Sequence, residues 1–316
     1  MQNKILLVES DPIFRDLTVA ILQKGKVEFD VVESTDECRA YLAKEKPSLI
    51  IIDLEHISEG TPALLPHIRD DLEIPMIVTT AENIDLDFER IIRQKLNLVL
   101  NKPMKSTELL NVIDRLLHPD PATWFGLENY LPDAKMFRIS LKRSTQIREA
   151  ISAIFKKVDE WGFDFNLKFE MDLVWQEMIT NALYHSHGYT EFKQRRIPIE
   201  LPDPYEVVIR FGYNDNQFGI SIRDFRGTLT PEKILSSLNV AVNQQQMLEK
   251  SIQTGEDISA QILDRGRGLD IMRRMAGEYY FVIENNKSTE IIIIYDRNFE
   301  KDDPYSSLKI FMLPDH

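Results

Sequence analysis

Cysteine is almost absent: Cys38 is the one thiol in 316 residues. That excludes a disulfide framework and fits a reducing compartment. No apolar stretch reaches the roughly 18 residues that a membrane-spanning helix needs. The first ten residues lack a signal-peptide layout, because their apolar run is short and leads into acids. Net positive charge is missing too: 38 basic against 51 acidic side chains leave −13, the opposite of the basic footprint that phosphate contacts need. There is no internal repeat and no low-complexity tract. These absences predict a cytoplasmic protein with no membrane segment and no direct nucleic-acid partner. What is present is ordinary globular material, 43% hydrophobic and 28% charged. The length suits two domains.

Short apolar runs alternate with helical patterns in the first part. Residues 5–8, 29–32, 49–52, 75–79 and 96–100 read as strands, several of them continuous runs of the buried parallel kind. Asp11 before Pro12 reads as a helix cap and first helical residue, opening a helix that ends near Gly25; a second spans 36–43. This alternation predicts a doubly wound, flavodoxin-like parallel sheet. Sites in such sheets form beyond the carboxyl ends of the strands. Glu9, Asp53, Thr80 and Lys102 stand there. Acidic oxygens can hold Mg²⁺, and a carboxylate can act as a nucleophile and become an aspartyl-phosphate. A hydroxyl and an ammonium can then hold phosphoryl oxygens. Any one of the four alone is better read as a strand end meeting water. All four, each from a different strand, point to a site.

This set resembles the response-regulator receiver domain over residues 1–118. The resemblance implies Asp53 as phosphoacceptor, Glu9 and Asp53 as Mg²⁺ ligands, Thr80 as switch hydroxyl and Lys102 as phosphate contact. Lys102-Pro103 resembles the family's cis step. Two positions depart from the pattern: Ser10 replaces a second acid after the first strand, and Val99 stands where an aromatic switch residue is usual.

Residues 118–121, His-Pro-Asp-Pro, break the last helix of this domain. The stretch 120–139 is then a linker, rich in aromatics near Trp124 and Phe125 and too apolar for a free tether. It is expected to dock on a domain. The second domain, 140–316, opens with an amphipathic helix at 144–161, carrying Ile147, Ala150, Ile151, Ile154, Phe155 and Val158, with Ser144 as cap. A second helix follows around 169–185. On it Glu177, Asn181 and His185 are each four apart and share a face. Alone, such a stripe is most simply a solvated helix face, and His185 a helix-end histidine. Residues 206–211 and 218–222 read as a hairpin leading into Asp224-Phe225-Arg226-Gly227, and 230–263 as a lid-like stretch. Gly266-Arg267-Gly268 before a helix at 270–275 is a candidate anion site, because glycine lets backbone N–H groups approach phosphate. Strands at 279–284 and 290–295 follow, and 307–312 reads as an edge strand.

Over residues 140–297 this order resembles the GHKL ATP-binding fold, and within it the anti-sigma-factor serine kinases. It implies an α/β sandwich: a mixed sheet with helices on one face. ATP and Mg²⁺ would be the cofactors. Asn181 would hold Mg²⁺ and Glu177 would be the general base. Asp224 would accept from the adenine amino group, beside Gly227. Gly266 and Gly268 would wrap the phosphates, with Arg265 or Arg267. Arg226 and Thr228 stand where the family usually has glycines.

The two resemblances together imply a two-component response regulator. Phosphorylation of Asp53 would control an ATP-binding, serine/threonine-kinase-like anti-sigma output. Its phosphodonor would be a sensor histidine kinase, and its partner an anti-sigma-antagonist-like protein or a sigma factor. Homodimers are common in both families. The rival reading is a non-catalytic module with a degenerate ATP site that sequesters a partner. Arg226 and Thr228 favour the rival; Glu177 favours the kinase.

Overall fold

The computed structural model describes residues 4–57, 64–163, 168–254, 269, 272–273, 276–297 and 307–313. The chain divides into two compact units. Unit 1 is residues 1–120 with 307–309, and unit 2 is residues 121–306 with 310–316.

Unit 1 runs β1 (Lys4–Val8), α1 (Pro12–Lys24), β2 (Glu28–Val32), α2 (Thr35–Leu42) and β3 (Leu49–Asp53), then a 3-10 turn at Leu54–Ile57. It continues with α3 (Leu64–Pro66), a π turn at His67–Asp71, β4 (Met76–Thr80), α4 (Phe88–Arg93), β5 (Leu98–Asn101) and α5 (Ser106–Leu117). The strands lie in the order β2-β1-β3-β4-β5, all parallel. This is the flavodoxin-like order, with its ligand crevice beyond the carboxyl ends of β1 and β3. Continuous apolar strands are required because both sheet faces are covered. Ile50, Ile51 and Ile52 are each fully buried, contributing about 1.5–3 kcal/mol apiece. Asp11 caps α1, its carboxylate accepting from the N–H groups of Ile13 and Phe14 at 2.8 and 3.1 Å.

Unit 1 also takes in residues from the far end of the sequence. Leu308 and Lys309, the first residues of β11 (Leu308–Met312), pair antiparallel with β5 at Val99 and Leu98. The Asn101 N–H donates to Ser307 Oγ at 3.3 Å. Lys309 Nζ donates to Glu108 Oε1 on α5 at 2.6 Å, both side chains lying at most 10% exposed.

Unit 2 runs α6 (Pro121–Trp124), a 3-10 turn at Leu127–Asn129, β6 (Lys135–Leu141), α7 (Ile147–Glu160) and α8 (Lys168–Thr180). A π turn at Asn181–His185 follows, then α9 (Thr190–Gln194), β7 (Val207–Tyr213), β8 (Gln217–Asp224), α10 (Pro231–Thr254), β9 (Glu278–Glu284) and β10 (Ser288–Asp296). The sheet order is β11-β9-β10-β8-β7-β6. Neighbours are antiparallel except β9 and β11, which pair in parallel through Ile310–Met312. The sheet is therefore mixed.

Alternation along the strands sorts side chains onto two faces. On one, Phe218, Tyr213 and Tyr295 meet the helices. Trp161 of the α7 C-cap stacks on Tyr213 at 3.9 Å between centroids, and Phe155 of α7 stacks on Trp175 of α8 at 4.6 Å. The Trp175 indole N–H donates to the Tyr295 hydroxyl at 3.2 Å. The other face is covered by the segment expected to be a linker, whose Trp124, Phe125, Leu127 and Leu131 are buried. Gly219 makes room for it: a Cβ there would lie 2.9 Å from a Leu127 methyl. Glu290, fully buried on this face, accepts from the Gly126 N–H at 2.7 Å and the Ser221 hydroxyl at 2.6 Å.

Several local expectations change. Residues 135–139 of the expected linker are the start of β6. Ser144 does not cap α7; its Oγ accepts from the Ile199 N–H at 3.0 Å, tying down the loop before β7. Most of the lid-like stretch is α10, a 24-residue helix. Its buried Ile234, Leu235, Leu238 and Val242 recur at helical spacing. The helix expected at 270–275 falls mostly outside the described residues.

Candidate functional site

The carboxyl edge of the unit 1 sheet brings three of its four predicted residues into contact. Glu9 follows β1, Asp53 ends β3, and Lys102 follows β5. The Lys102 ammonium bonds Glu9 Oε2 and Asp53 Oδ2 together, with its side chain 2% exposed. Glu9 Oε1 accepts from the Asp11 N–H at 3.0 Å, and Asp53 Oδ1 from the Glu55 N–H at 2.6 Å. Each carboxylate is thus aimed by one backbone donor, and the two share one cation. The Phe14 ring closes the other side of Lys102, 4.8 Å from Nζ. Asp11 is spent on capping α1, so two carboxylates remain in the site. Thr80 ends β4 beside Asn101 of β5, and its Oγ1 accepts from the Glu82 N–H at 3.1 Å. It is buried at the same edge, and its hydroxyl organises the following turn. The peptide bond between Lys102 and Pro103 is cis.

In unit 2 the predicted residues fall into two groups. Asp224 ends β8, 4% exposed. Its Oδ1 accepts from the N–H groups of Arg226 and Gly227 at 2.9 and 3.1 Å. Burial pushes its carboxyl pKa above the ordinary range, while those two donors and the Ser186 hydroxyl pull the other way. Thr289 of β10 is its register partner, so both point to the helix-covered face. The Thr289 hydroxyl is buried without a partner among the described residues, and so is His187 Nε2, close enough to Asp224 to feel its charge. A buried carboxylate beside a buried, unpartnered hydroxyl is a donor–acceptor pair suited to a polar heterocycle.

Gly227 serves packing. Its φ is +58°, and a Cβ would stand 2.3 Å from the Glu284 carbonyl oxygen and 2.6 Å from the Lys287 nitrogen. Arg226, the residue in place of a glycine, turns outward and lies on Tyr205, its Nη1 donating to the phenol oxygen at 3.0 Å.

The second group is Glu177 and Asn181. The α-helical hydrogen bonding of α8 ends at Thr180, and a π turn carries Asn181 to His185. Such insertions are frequent at functional sites. Glu177 and Asn181 meet on a residue that sequence reasoning did not single out. Lys193 Nζ donates to Glu177 Oε1 at 3.0 Å and to Asn181 Oδ1 at 2.7 Å. The His185 Nδ1 bonds the Thr190 hydroxyl at 3.0 Å, at the start of α9, and the ring feels the charges of Lys193 and Glu177. Arg265, Gly266, Arg267 and Gly268 lie outside the described residues. Lys193 and the pairing of Thr289 with Asp224 escape sequence reasoning for a common reason. Each reaches its partner through strand register or a loop reversal, and no local spacing encodes either.

Among the described residues no helix is long and apolar enough to cross a membrane, and no three His, Cys, Asp or Glu side chains group as a metal site.

Comparison with known proteins bears on unit 1. Residues 5–114 match the response regulator receiver domain. A response regulator from Thermotoga maritima is 17% identical, covering 37% of this chain and 98% of that one, with a TM-score of 0.33. A sensor protein from Polaromonas sp. is 22% identical, covering 37% and 97%, with a TM-score of 0.33. The signal receiver domain of a DNA binding response regulator protein from Colwellia psychrerythraea is 21% identical, covering 36% and 97%, with a TM-score of 0.32. No curated protein matches the chain. Residues 5–114 are a response regulator receiver domain, carried within a longer chain.

Proposed function

We propose that the chain receives a phosphoryl group on Asp53 and that this controls an adenine-nucleotide-binding unit 2. The observation that carries the receiver half is the meeting of Glu9, Asp53 and Lys102 from three strand ends. The phosphodonor is a sensor histidine kinase. An Asp53 oxygen attacks phosphorus, the bond to the donor nitrogen breaks, and an acyl phosphate forms. Lys102, already on both carboxylates, moves its charge to the incoming phosphoryl oxygens. Thr80 supplies a hydroxyl at the neighbouring strand end. Once Lys102 has moved to the phosphoryl group, the Glu9 and Asp53 oxygens it leaves would hold Mg²⁺, which is commonly bound by one or two carboxylates plus substrate phosphate oxygens. When bound it neutralises charge on the phosphoryl group.

For unit 2, the support is the buried Asp224–Thr289 pair, a carboxylate and a hydroxyl that would meet the amino group and a ring nitrogen of adenine. The engagement of Glu177 by Lys193 favours a module that binds nucleotide and holds a partner over one that transfers phosphate. The partner class is an anti-sigma-antagonist-like protein or a sigma factor. A serine/threonine kinase is the second reading, with Glu177 as base once Lys193 is displaced.

The test of the first half is Phos-tag mobility after acetyl-phosphate treatment. The wild type shifts and Asp53→Ala does not; equal behaviour of the two overturns the assignment. For the second half, ATP raises the melting temperature of the wild type and fails to do so for Asp224→Asn.

A further inference from the structure

The cation between Glu177 and Asn181 belongs to the protein itself. Lys193 sits on α9, which the turn at Gly188 (φ +80°) and Tyr189 folds back toward the end of α8. The reversal is fastened at several points. The Tyr189 N–H donates to the Tyr184 carbonyl at 2.7 Å, and His185 Nδ1 bonds Thr190 Oγ1 at 3.0 Å. The Tyr184 hydroxyl donates to the Ile197 carbonyl at 3.0 Å, and the Ile197 N–H to the Phe192 carbonyl at 2.9 Å. Lys193 is therefore held in place by its helix, with its side chain 24% exposed.

A divalent ion at Asn181 would need the amide oxygen that Lys193 already occupies. It would also place two cations side by side, which Coulomb repulsion opposes. The residues present do not fit a metal at this position. Lysine is a competent phosphate binder as a point charge. With Glu177 and Asn181 taking two of its three protons, the third is left for an outside acceptor.

We propose that Lys193 supplies the positive charge at this site, so that unit 2 binds its adenine nucleotide without a divalent metal. Lys193 is then a positioning and charge-supplying residue of the nucleotide site. The proposal rests on the nucleotide reading above and has its own failure mode.

Calorimetric titration of the full-length chain with ATP, in excess EDTA or in excess MgCl₂, decides it. The wild type should bind with dissociation constants that agree within about threefold. Lys193→Met keeps the aliphatic stem and removes the charge. It should lose about tenfold or more in EDTA, a difference of about 1.4 kcal/mol, and should regain affinity with MgCl₂. Wild-type binding that is about tenfold or more weaker in EDTA overturns the proposal while leaving the nucleotide reading intact. So does a folded Lys193→Met, judged by its tryptophan fluorescence, that binds in EDTA as the wild type does. Absence of ATP binding in both buffers overturns the nucleotide reading, and this proposal with it. Should Lys193→Met not fold, the wild-type comparison alone decides.

Discussion

Removing the carboxylate of Glu290 should unfasten segment 121–131 from its sheet. Glu290 is fully buried. It makes two hydrogen bonds, to the Gly126 N–H and the Ser221 hydroxyl, at 2.7 and 2.6 Å. Arg210 Nη1 lies 3.8 Å away, and Arg223 also feels the charge. Glu290→Ala strands a backbone donor that no rotation can re-aim. A buried donor left unsatisfied costs about 1–3 kcal/mol, and the vacated side-chain volume adds a cavity cost. The loss should be about 3 kcal/mol. Glu290→Gln keeps an acceptor of the same shape and gives up only the charge assistance, about 1 kcal/mol. Ser221→Ala should likewise cost about 1 kcal/mol. Combined with Glu290→Ala it should cost less than the sum, because both changes remove one shared bond. The readout is urea unfolding followed by tryptophan fluorescence. Trp124, Trp161 and Trp175 are the only tryptophans and all belong to unit 2, which isolates that unit in a chain that need not unfold in one step. A Glu290→Ala variant within about 0.5 kcal/mol of wild type refutes the reasoning, as does a Gln variant no better than the Ala one.

Gly227→Ala should destabilise unit 2 by about 3 kcal/mol or more, since a left-handed conformation costs about 1–2 kcal/mol and the added Cβ meets the Glu284 and Lys287 backbone. A melting temperature equal to wild type, read by the same fluorescence, contradicts this. Asp224 carries a pH prediction. Burial raises its carboxyl pKa in the folded protein, so above the ordinary value of 3.8 the folded state holds a proton that the unfolded state has released. Its contribution to stability therefore falls as pH rises from that value through the folded one. Asp224→Asn removes this slope, and the melting temperature of the variant relative to wild type should climb across that range. Parallel profiles would show that the carboxyl is not perturbed.

The readability of the sequence follows the range of the interactions. The strands of unit 1 announce themselves because a two-faced parallel sheet needs unbroken runs such as Leu49–Asp53. Asp53 and Lys102 are legible as strand-end residues for the same reason. Asp11 was readable as a cap because capping is decided within four residues. In unit 2 the strands were legible but their neighbours were not. Nothing between Asp224 and Thr289 says that they stand opposite each other, since that pairing is set by the β8–β10 register. Lys193 lies past a left-handed glycine that reverses the chain, and charge alone marks it as surface. Helix α10 could have been found: Ile234, Leu238 and Val242 recur every four residues, under a Gln- and Glu-rich surface that suggested a lid.

The three residues 307–309 bear on how this protein can be dissected. A fragment ending at Asp120 would carry every receiver motif and still be altered. It would lose the Lys309 ammonium that answers Glu108, and the Ser307 oxygen that receives the Asn101 N–H, one residue from Lys102. The flank of β5 at Val99 would become an open strand edge, which invites pairing with another chain. Self-association or altered phosphorylation of such a fragment would then be a property of the cut. The phosphoryl transfer proposed for Asp53 is therefore best measured on a chain that retains residues 307–316.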